Sequence, residues 1–163
     1  MNLNLSDKNA MVCASSQGLG KAAALELAKE GANLAICSRD QKKINKVRDE
    51  ILKQLENEVE ILALKIDLGN SKEIEEFHLR ATEHFDAVDI LVNNNGGPPP
   101  SSFEKLTDAD WEKAFNSTMM SCIRLSKLVI PKMKQKNWGR IINISSVSVK
   151  TPVTGLFLSN SLR

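Results

Sequence analysis

Residues 11–20 read Met11-Val12-Cys13-Ala14-Ser15-Ser16-Gln17-Gly18-Leu19-Gly20, and an alanine-rich run over 21–30 follows them. The apolar start predicts a buried strand, the small polar residues predict a tight turn, and the alanine-rich run predicts a helix. Gly18 and Gly20 let the backbone approach a ligand and let the helix pack closely on the strand. We expect Ser15 and Ser16 to leave free amide groups at the helix N-terminus, where the helix dipole favours an anion. The stretch therefore predicts a phosphate-binding turn, with an ordinary glycine turn before an amphipathic helix as the alternative.

Strand and helix signals alternate along the rest of the chain. Short apolar runs predict five strands, at 10–15, 33–37, 61–66, 88–92 and 139–145. Apolar residues at helical spacing predict helices at about 19–30, 39–56, 70–84 and 107–134, with another starting near Leu158. This alternation predicts an α/β fold, a Rossmann-type doubly wound parallel sheet with helices on both faces. The length of 163 residues predicts a single domain, 1–163.

Composition narrows the class of function. The net charge is only +2, so nothing favours binding to nucleic acid or to an anionic membrane. No apolar run approaches the roughly twenty residues that a membrane span needs, and three cysteines without paired spacing are typical of a reducing compartment. A cytoplasmic protein is therefore expected. His78 and His84 lie six positions apart on a polar helix and do not share a face, so no metal site is predicted.

The unusual sequence falls where the predicted strands end. Polar or glycine-rich residues follow each strand: the turn 15–20, Ser38-Arg39, Asp67-Leu68, the segment 93–100, and Ser145-Ser146. Ligands of doubly wound sheets bind outside the carboxyl ends of the strands, near the switch in strand order. The coincidence predicts a dinucleotide site at that edge.

Taken in this order and spacing, the motifs resemble those of the short-chain dehydrogenase/reductase family, including its 3-oxoacyl carrier-protein reductases. The family motif Thr-Gly-x-x-x-Gly-x-Gly matches 13–20, with Cys13 for the Thr and Ala14 for the first Gly. The family's Asn-Asn-Ala-Gly appears as residues 93–96. The resemblance implies these cofactor-binding residues: Ala14, Ser15, Ser16, Gln17, Gly18, Leu19, Gly20, Ser38, Arg39, Asp67, Leu68, Asn93, Asn94 and Gly96. It also implies that the chain is the N-terminal portion of a longer protein, incomplete at its C-terminus.

The end of the second strand bears on the choice of cofactor. NAD sites place an acidic side chain there for the ribose hydroxyls, whereas the 2′-phosphate of NADP needs a cation. This chain has Ser38 and Arg39, and a guanidinium pairs well with phosphate. NADP is the predicted cofactor, with NAD the less favoured one. The alternative for Arg39 is a solvated residue paired with Asp40.

The catalytic residues are where the resemblance weakens. The family uses a Ser, a Tyr acid/base with a Lys four residues later, and an Asn. The family's Ser falls on Ser146, but the chain has no Tyr, and the Tyr, Lys and Asn positions fall on Ser159, Arg163 and Thr118. Asn116 lies two residues from the Asn position. A Ser is a far poorer acid than a phenol, and an Arg does not exchange protons near neutral pH.

Three functional hypotheses follow. The first is an NADP-dependent oxidoreductase that acts on a small-molecule carbonyl/alcohol pair with an atypical catalytic set. The second is a non-catalytic nucleotide-binding or assembly protein that keeps the fold. The third assigns the acid/base work to a residue beyond Arg163. The resemblance further implies a homo-oligomer, a tetramer or dimer, with Trp111, Phe115 and Met119–Met120 on a helix that could pair copies or belong to the core.

Overall fold

The computed structural model describes residues 3–163. Within that range the strands are β1 (Asn9–Val12), β2 (Asn33–Ser38), β3 (Ile61–Lys65), β4 (Ile90–Asn93) and β5 (Arg140–Asn143). The α-helices are α1 (Gly18–Lys29), α2 (Gln41–Leu52), α3 (Ser71–Phe85), α4 (Asp108–Phe115), α5 (Ser121–Gln135) and α6 (Phe157–Leu162). Short 3-10 turns cover Phe103–Lys105 and Val147–Val149, and a π-helical segment, Asn116–Met120, joins α4 to α5.

The strands form one parallel sheet in the order β3-β2-β1-β4-β5. Met11 of β1 lies between Ala35 of β2 and Leu91 of β4. The chain builds outward from β1 to β3 and then crosses back to β4, so the strand order reverses between β1 and β4. The predicted Rossmann-type parallel sheet is confirmed, and its switch point lies at the turn quoted above.

Two cores cover the two faces of the sheet, because successive residues of a strand point to opposite sides. Met11 belongs to the core that α3 and α5 cover, where Phe77 is fully buried. Val12, its neighbour, belongs to the core that α1 and α2 cover, together with the fully buried Ala24. Alanines on α1 allow this helix to lie close to the sheet, which sets the position of its N-terminus.

The N-terminal ends of the strands are closed by an ion pair between a buried carboxylate and a partly exposed lysine. The side chain of Asp89 is fully buried, accepts a hydrogen bond from the amide of Asn9 at 3.0 Å, and pairs with Lys136. These contacts fix β1 and β4 to the end of α5, at the edge of the sheet opposite the predicted ligand site.

The structure corrects several predicted bounds. Strand β1 spans Asn9–Val12 rather than 10–15, because Ala14 already turns with φ of 47°, and β4 spans Ile90–Asn93 rather than 88–92. Helix α2 ends at Leu52 rather than near residue 56, since Gln54 donates to the carbonyl of Ile51 in a tight turn, and Leu55 packs on the core from that turn. Strand β5 spans Arg140–Asn143 rather than 139–145. The predicted helix 107–134 contains the π segment, which periodicity alone does not reveal. No helix within residues 3–163 is long and apolar enough to span a bilayer.

Candidate active site

A cleft of about 1150 Å³ opens at the carboxyl ends of the strands. Its walls come from the turn after β1, the end of β2, the segments after β3 and β4, one face of α4, and Arg163. Segment 93–100 contributes no regular structure beyond the last residue of β4, as its Asn, Gly and Pro content predicts. Because its walls include both the turn after β1 and the segment after β4, the cleft lies where the strand order reverses.

The turn after β1 is built by backbone conformations that glycine favours. Gly18 has φ of 58° and Ala14 has φ of 47°, so Ala14 holds a left-handed conformation that costs an L-residue roughly 1–2 kcal/mol. A Cβ on Gly20 would lie 2.6 Å from the carbonyl oxygen of Ala14 and 2.9 Å from that of Cys13. Only glycine fits at position 20 without moving the turn.

The N-terminus of α1 presents unsatisfied donors to the cleft. Gln17 is the N-cap residue, its side chain makes no capping hydrogen bond, and no acidic side chain lies in the first turn. The first amides of a helix have no partner inside the helix, and together with the dipole they favour an anion. Ser16, Gln17, Gly18 and Leu19 line the cleft at this point.

Ser15 differs from its predicted role. Its amide donates to the carbonyl of Cys37 at 2.9 Å, and its hydroxyl donates to the carbonyl of Val12 at 2.6 Å. The residue is fully buried. The expectation of a free amide at Ser15 is wrong, because this residue ties the turn to β2 and supports the ligand-facing residues from behind.

The asparagines after β4 brace the same turn. Asn94 donates from Nδ2 to the carbonyls of Cys13 and Ala14, at 3.2 and 3.3 Å. Asn93 is buried and donates to Oδ1 of Asn143 at 2.8 Å, while its own Oδ1 has no partner within the described residues. Gly96 lines the cleft, with open space where a side chain would begin.

At the end of β2, Arg39 is exposed and lines the cleft. Asp40 is committed elsewhere, because its carboxylate accepts from the amide of Lys43 at 3.0 Å, a bond that lowers the pKa of this carboxyl. The guanidinium of Arg39 has no ion pair in the part of the chain that the structure describes. Ser38 is buried and its hydroxyl donates to the carbonyl of Asp40 at 2.9 Å, so Arg39 is the group left to meet a ligand.

Asp67 and Leu68, after β3, line the cleft as predicted. One carboxylate oxygen of Asp67 accepts from the amide of Gly69 at 2.9 Å, and the amide of Asp67 donates to Glu73 at 2.7 Å. This local bonding fixes the direction of the Asp67 side chain at the rim.

Of the four residues at the family's catalytic positions, one lines the cleft. Arg163 lines it and donates from Nη2 to the carbonyl of Asn95 at 3.0 Å. Ser146, Ser159 and Thr118 do not line it, but each adjoins in sequence a residue that does, namely Ser145, Leu158 and Ser117. The segment before α6 is held in place because Ser101 donates to the carbonyl of Gly155 at 2.9 Å.

Thr118 lies in the π segment, a conformation frequent at functional sites. It is buried, and its hydroxyl has no partner among the described residues. Its carbonyl accepts from the thiol of Cys122 at 3.2 Å. Burial raises the pKa of this thiol, which keeps it protonated near neutral pH.

Sequence reasoning did not single out Ser148, which contacts Ser146. The amide of Ser148 donates to Oγ of Ser146 at 3.2 Å, and the hydroxyls of the two residues are hydrogen-bonded at 3.0 Å. The spacing Ser-x-Ser across a turn is the signal that could have found it, since such hydroxyls commonly bond to nearby backbone.

The sequence profile of the short chain dehydrogenases matches residues 8–158. The chain belongs to this family. It is 36% identical over 152 residues to the uncharacterized oxidoreductase YvaG of Bacillus subtilis, covering 93% of this chain and 56% of that protein. It is 32% identical over 149 residues to the 7alpha-hydroxysteroid dehydrogenase of Escherichia coli K12, covering 91% and 57%.

Solved structures of family members superpose closely. The L-sorbose reductase of Gluconobacter frateurii, solved with NADPH and L-sorbose, has a TM-score of 0.94 at 25% identity and covers 99% of this chain and 61% of its own. A 7α-hydroxysteroid dehydrogenase solved with NADH and 7-oxo glycochenodeoxycholic acid has a TM-score of 0.90 at 29% identity, with coverages of 98% and 61%. The chain thus spans about 56–61% of these family members.

Within the described residues no group of three His, Cys, Asp or Glu side chains could hold a metal ion.

Proposed function

We propose that this chain is the cofactor-binding part of an oxidoreductase that transfers hydride between NADP(H) and a small-molecule carbonyl/alcohol pair. The observation that carries the proposal is the uncapped N-terminus of α1 in the same cleft as the unpaired Arg39. A dinucleotide with a 2′-phosphate carries negative charge on its diphosphate and on its 2′-phosphate. The cleft offers the amide donors of α1 for the first group and the guanidinium of Arg39 for the second.

The residues present fit this cofactor. Gly18 and Gly96 have nothing within 4 Å of where a side chain would begin, so a bound group could lie against the backbone. In this account the diphosphate lies on the turn from Ser16 to Gly20 and the 2′-phosphate on Arg39. Asp67 and Leu68 line the same cleft, and in this account they flank the adenine. Ser38 supports Arg39 from the strand rather than binding phosphate itself.

Arg39 supports NADP over NAD. A carboxylate that accepts hydrogen bonds from ribose hydroxyls is the usual mark of an NAD site, and this position has a guanidinium instead. A paired guanidinium and phosphate form charge-assisted, often bidentate hydrogen bonds. Related structures hold NADPH, NADP or NADH, so the family alone does not choose between them.

The bound nicotinamide supplies or accepts the hydride. Ser146 donates a hydrogen bond to the oxygen of the substrate, and Arg163 supplies positive charge where negative charge develops on that oxygen. The guanidinium of Arg163 is held in direction because its Nη2 donates to the carbonyl oxygen of Asn95 at 3.0 Å. Ser159 is buried in α6 and, with Thr118, supports the wall of the site.

A non-catalytic nucleotide-binding or assembly protein is the second candidate. The absence of Tyr from the 163 residues favours it, because the usual acid/base group is missing.

Phe115 and Met119 are 41% and 45% exposed on the outer face of the α4–α5 helices, so they are not core residues. We propose that this face pairs copies of a cytoplasmic homo-oligomer, a dimer or tetramer.

Hydride transfer is the direct test. The full natural polypeptide that carries this sequence would be incubated with NADPH deuterated at C4 of the nicotinamide ring. L-sorbose, 7-oxo glycochenodeoxycholic acid and a 3-oxoacyl thioester would serve as carbonyl probes. Deuterium in the alcohol product, lost in Ser146→Ala while NADPH still binds, supports the oxidoreductase. NADPH binding without turnover of any probe supports the second candidate.

A further inference from the structure

We infer that Ser148 is a positioning residue that donates to Oγ of Ser146 while Ser146 donates to the substrate oxygen; this inference rests on the proposed function. Ser148 lies inside the 3-10 turn Val147–Val149, directly after Ser146 and its neighbour Val147. Its side chain is buried, with 2% of the residue exposed, so its hydroxyl has little access to water. The hydroxyl is hydrogen-bonded to Oγ of Ser146, at 3.0 Å.

Ser148 offers two donors to Oγ of Ser146. A serine hydroxyl has one proton to donate and two lone pairs that accept. The amide of Ser148 donates to Oγ of Ser146 at 3.2 Å, and the two hydroxyls, 3.0 Å apart, form a second bond whose proton either serine can supply. When a substrate carbonyl accepts the proton of Ser146, the hydroxyl of Ser148 is the donor in the bond between the two serines.

The same two donors stabilise the charge that the reaction leaves on Ser146. When hydride reaches the carbonyl carbon, the C=O π pair moves to oxygen, and the proton of Ser146 forms the new O–H bond of the alcohol. Oγ of Ser146 then carries the negative charge until a proton from water restores it. Two hydrogen bonds aimed at a developing oxyanion favour its formation. Ser148 thus supplies part of what a phenol would supply through its own acidity.

The turn itself does not depend on the side chain of Ser148. The amide of Val149 donates to the carbonyl of Ser146 at 3.2 Å, and the amides of Lys150 and Thr151 donate to the carbonyl of Val147 at 3.0 and 3.1 Å. The backbone amide of Ser148 also remains in every variant except proline. Removing the hydroxyl of Ser148 therefore removes one donor and leaves the turn in place.

A matched pair of variants isolates that donor. Ser148→Thr keeps the hydroxyl and Ser148→Val has the same shape without it, so the two differ only in the group in question. For the full natural polypeptide, kcat and KM would be measured with NADPH and whichever carbonyl probe is turned over, together with the binding of NADPH. We expect Ser148→Val to lower kcat by about 10-fold or more, as for loss of an oxyanion donor, with NADPH binding unchanged. Ser148→Thr should recover most of the rate.

Equal rates for the Thr and Val variants, whether high or low, would overturn the inference and leave the proposed function standing. If both variants bind NADPH more weakly than the wild type, Ser148→Ala replaces them, because alanine fits wherever serine does, and the same fall in kcat is expected. No turnover by the wild type with NADPH bound would refute the proposed function and this inference together.

Discussion

Gly20→Ala tests the close packing that shapes the candidate phosphate site. The new Cβ would lie 2.6 Å from the carbonyl oxygen of Ala14, 2.7 Å from Nδ2 of Asn94 and 2.9 Å from the carbonyl oxygen of Cys13. Two of these three atoms belong to the backbone, which cannot rotate away. The third belongs to the side chain that bonds both carbonyls, so relief at Asn94 means losing those bonds.

The magnitude follows from these contacts. Overpacking costs typically 1–3 kcal/mol, and two lost hydrogen bonds cost about 0.5–1.5 kcal/mol each. Alanine recovers up to about 1 kcal/mol in helix propensity, since Gly20 lies in the first turn of α1. We expect a net loss of about 2–3 kcal/mol, which corresponds to a fall in Tm of roughly 5–10 °C for a chain of this size.

The assay is urea unfolding followed by the fluorescence of Trp111 and Trp138, with Gly96→Ala as the matched control. Nothing lies within 4 Å of the Cβ position at Gly96, so the control should unfold within about 0.5 kcal/mol of the wild type. The reasoning is refuted if Gly20→Ala is as stable as Gly96→Ala. Adenine nucleotide binding should weaken in Gly20→Ala as well.

Three further substitutions have defined outcomes. Ala14→Gly relieves a left-handed backbone with φ of 47° and should raise the free energy of unfolding by about 0.5–1 kcal/mol in urea titrations; a loss of stability would contradict this. Lys136→Met leaves the fully buried Asp89 carboxylate without its partner and should cost about 3 kcal/mol, part of which Asp89→Asn should restore. Burial lowers the pKa of His78, so the neutral form favours folding and stability falls as the pH drops below about 6.5. His78→Gln should flatten the dependence of Tm on pH between about 5 and 7, and an unchanged slope would exclude this role.

Much of the fold could be predicted because the strands are short apolar runs and the helices have apolar residues at helical spacing. Thr107 with Asp110 three residues later predicts a helix start, and the structure has both hydrogen bonds of that capping box. The spacing predicts an end of α2 that is too late, because Leu55 keeps helical spacing while packing on the core from a turn. Helical spacing of apolar residues indicates which side chains are buried. It does not distinguish a helix from a turn that buries the next side chain.

The site was less predictable because a residue type does not reveal where its hydrogen bonds go. Ser15 and Ser38 carry hydroxyls at the expected positions, yet both hydroxyls donate to carbonyls of the chain itself. Ser148 lies outside the family motifs. Its contact with Ser146 depends on the 3-10 turn Val147–Val149, which brings the two residues together. Such assignments need the three-dimensional course of the backbone.

The central claim is that the cleft binds a dinucleotide through the turn after β1 and through Arg39. A calorimetric titration of the full natural polypeptide with adenosine 2′,5′-bisphosphate, with AMP as the control ligand, tests it most directly. The account predicts that the bisphosphate binds at least about tenfold more tightly, a difference of about 1.4 kcal/mol, and that Arg39→Ala removes the difference. A folded sample that binds neither ligand would contradict the account, and equal binding of the two ligands would contradict the role of Arg39.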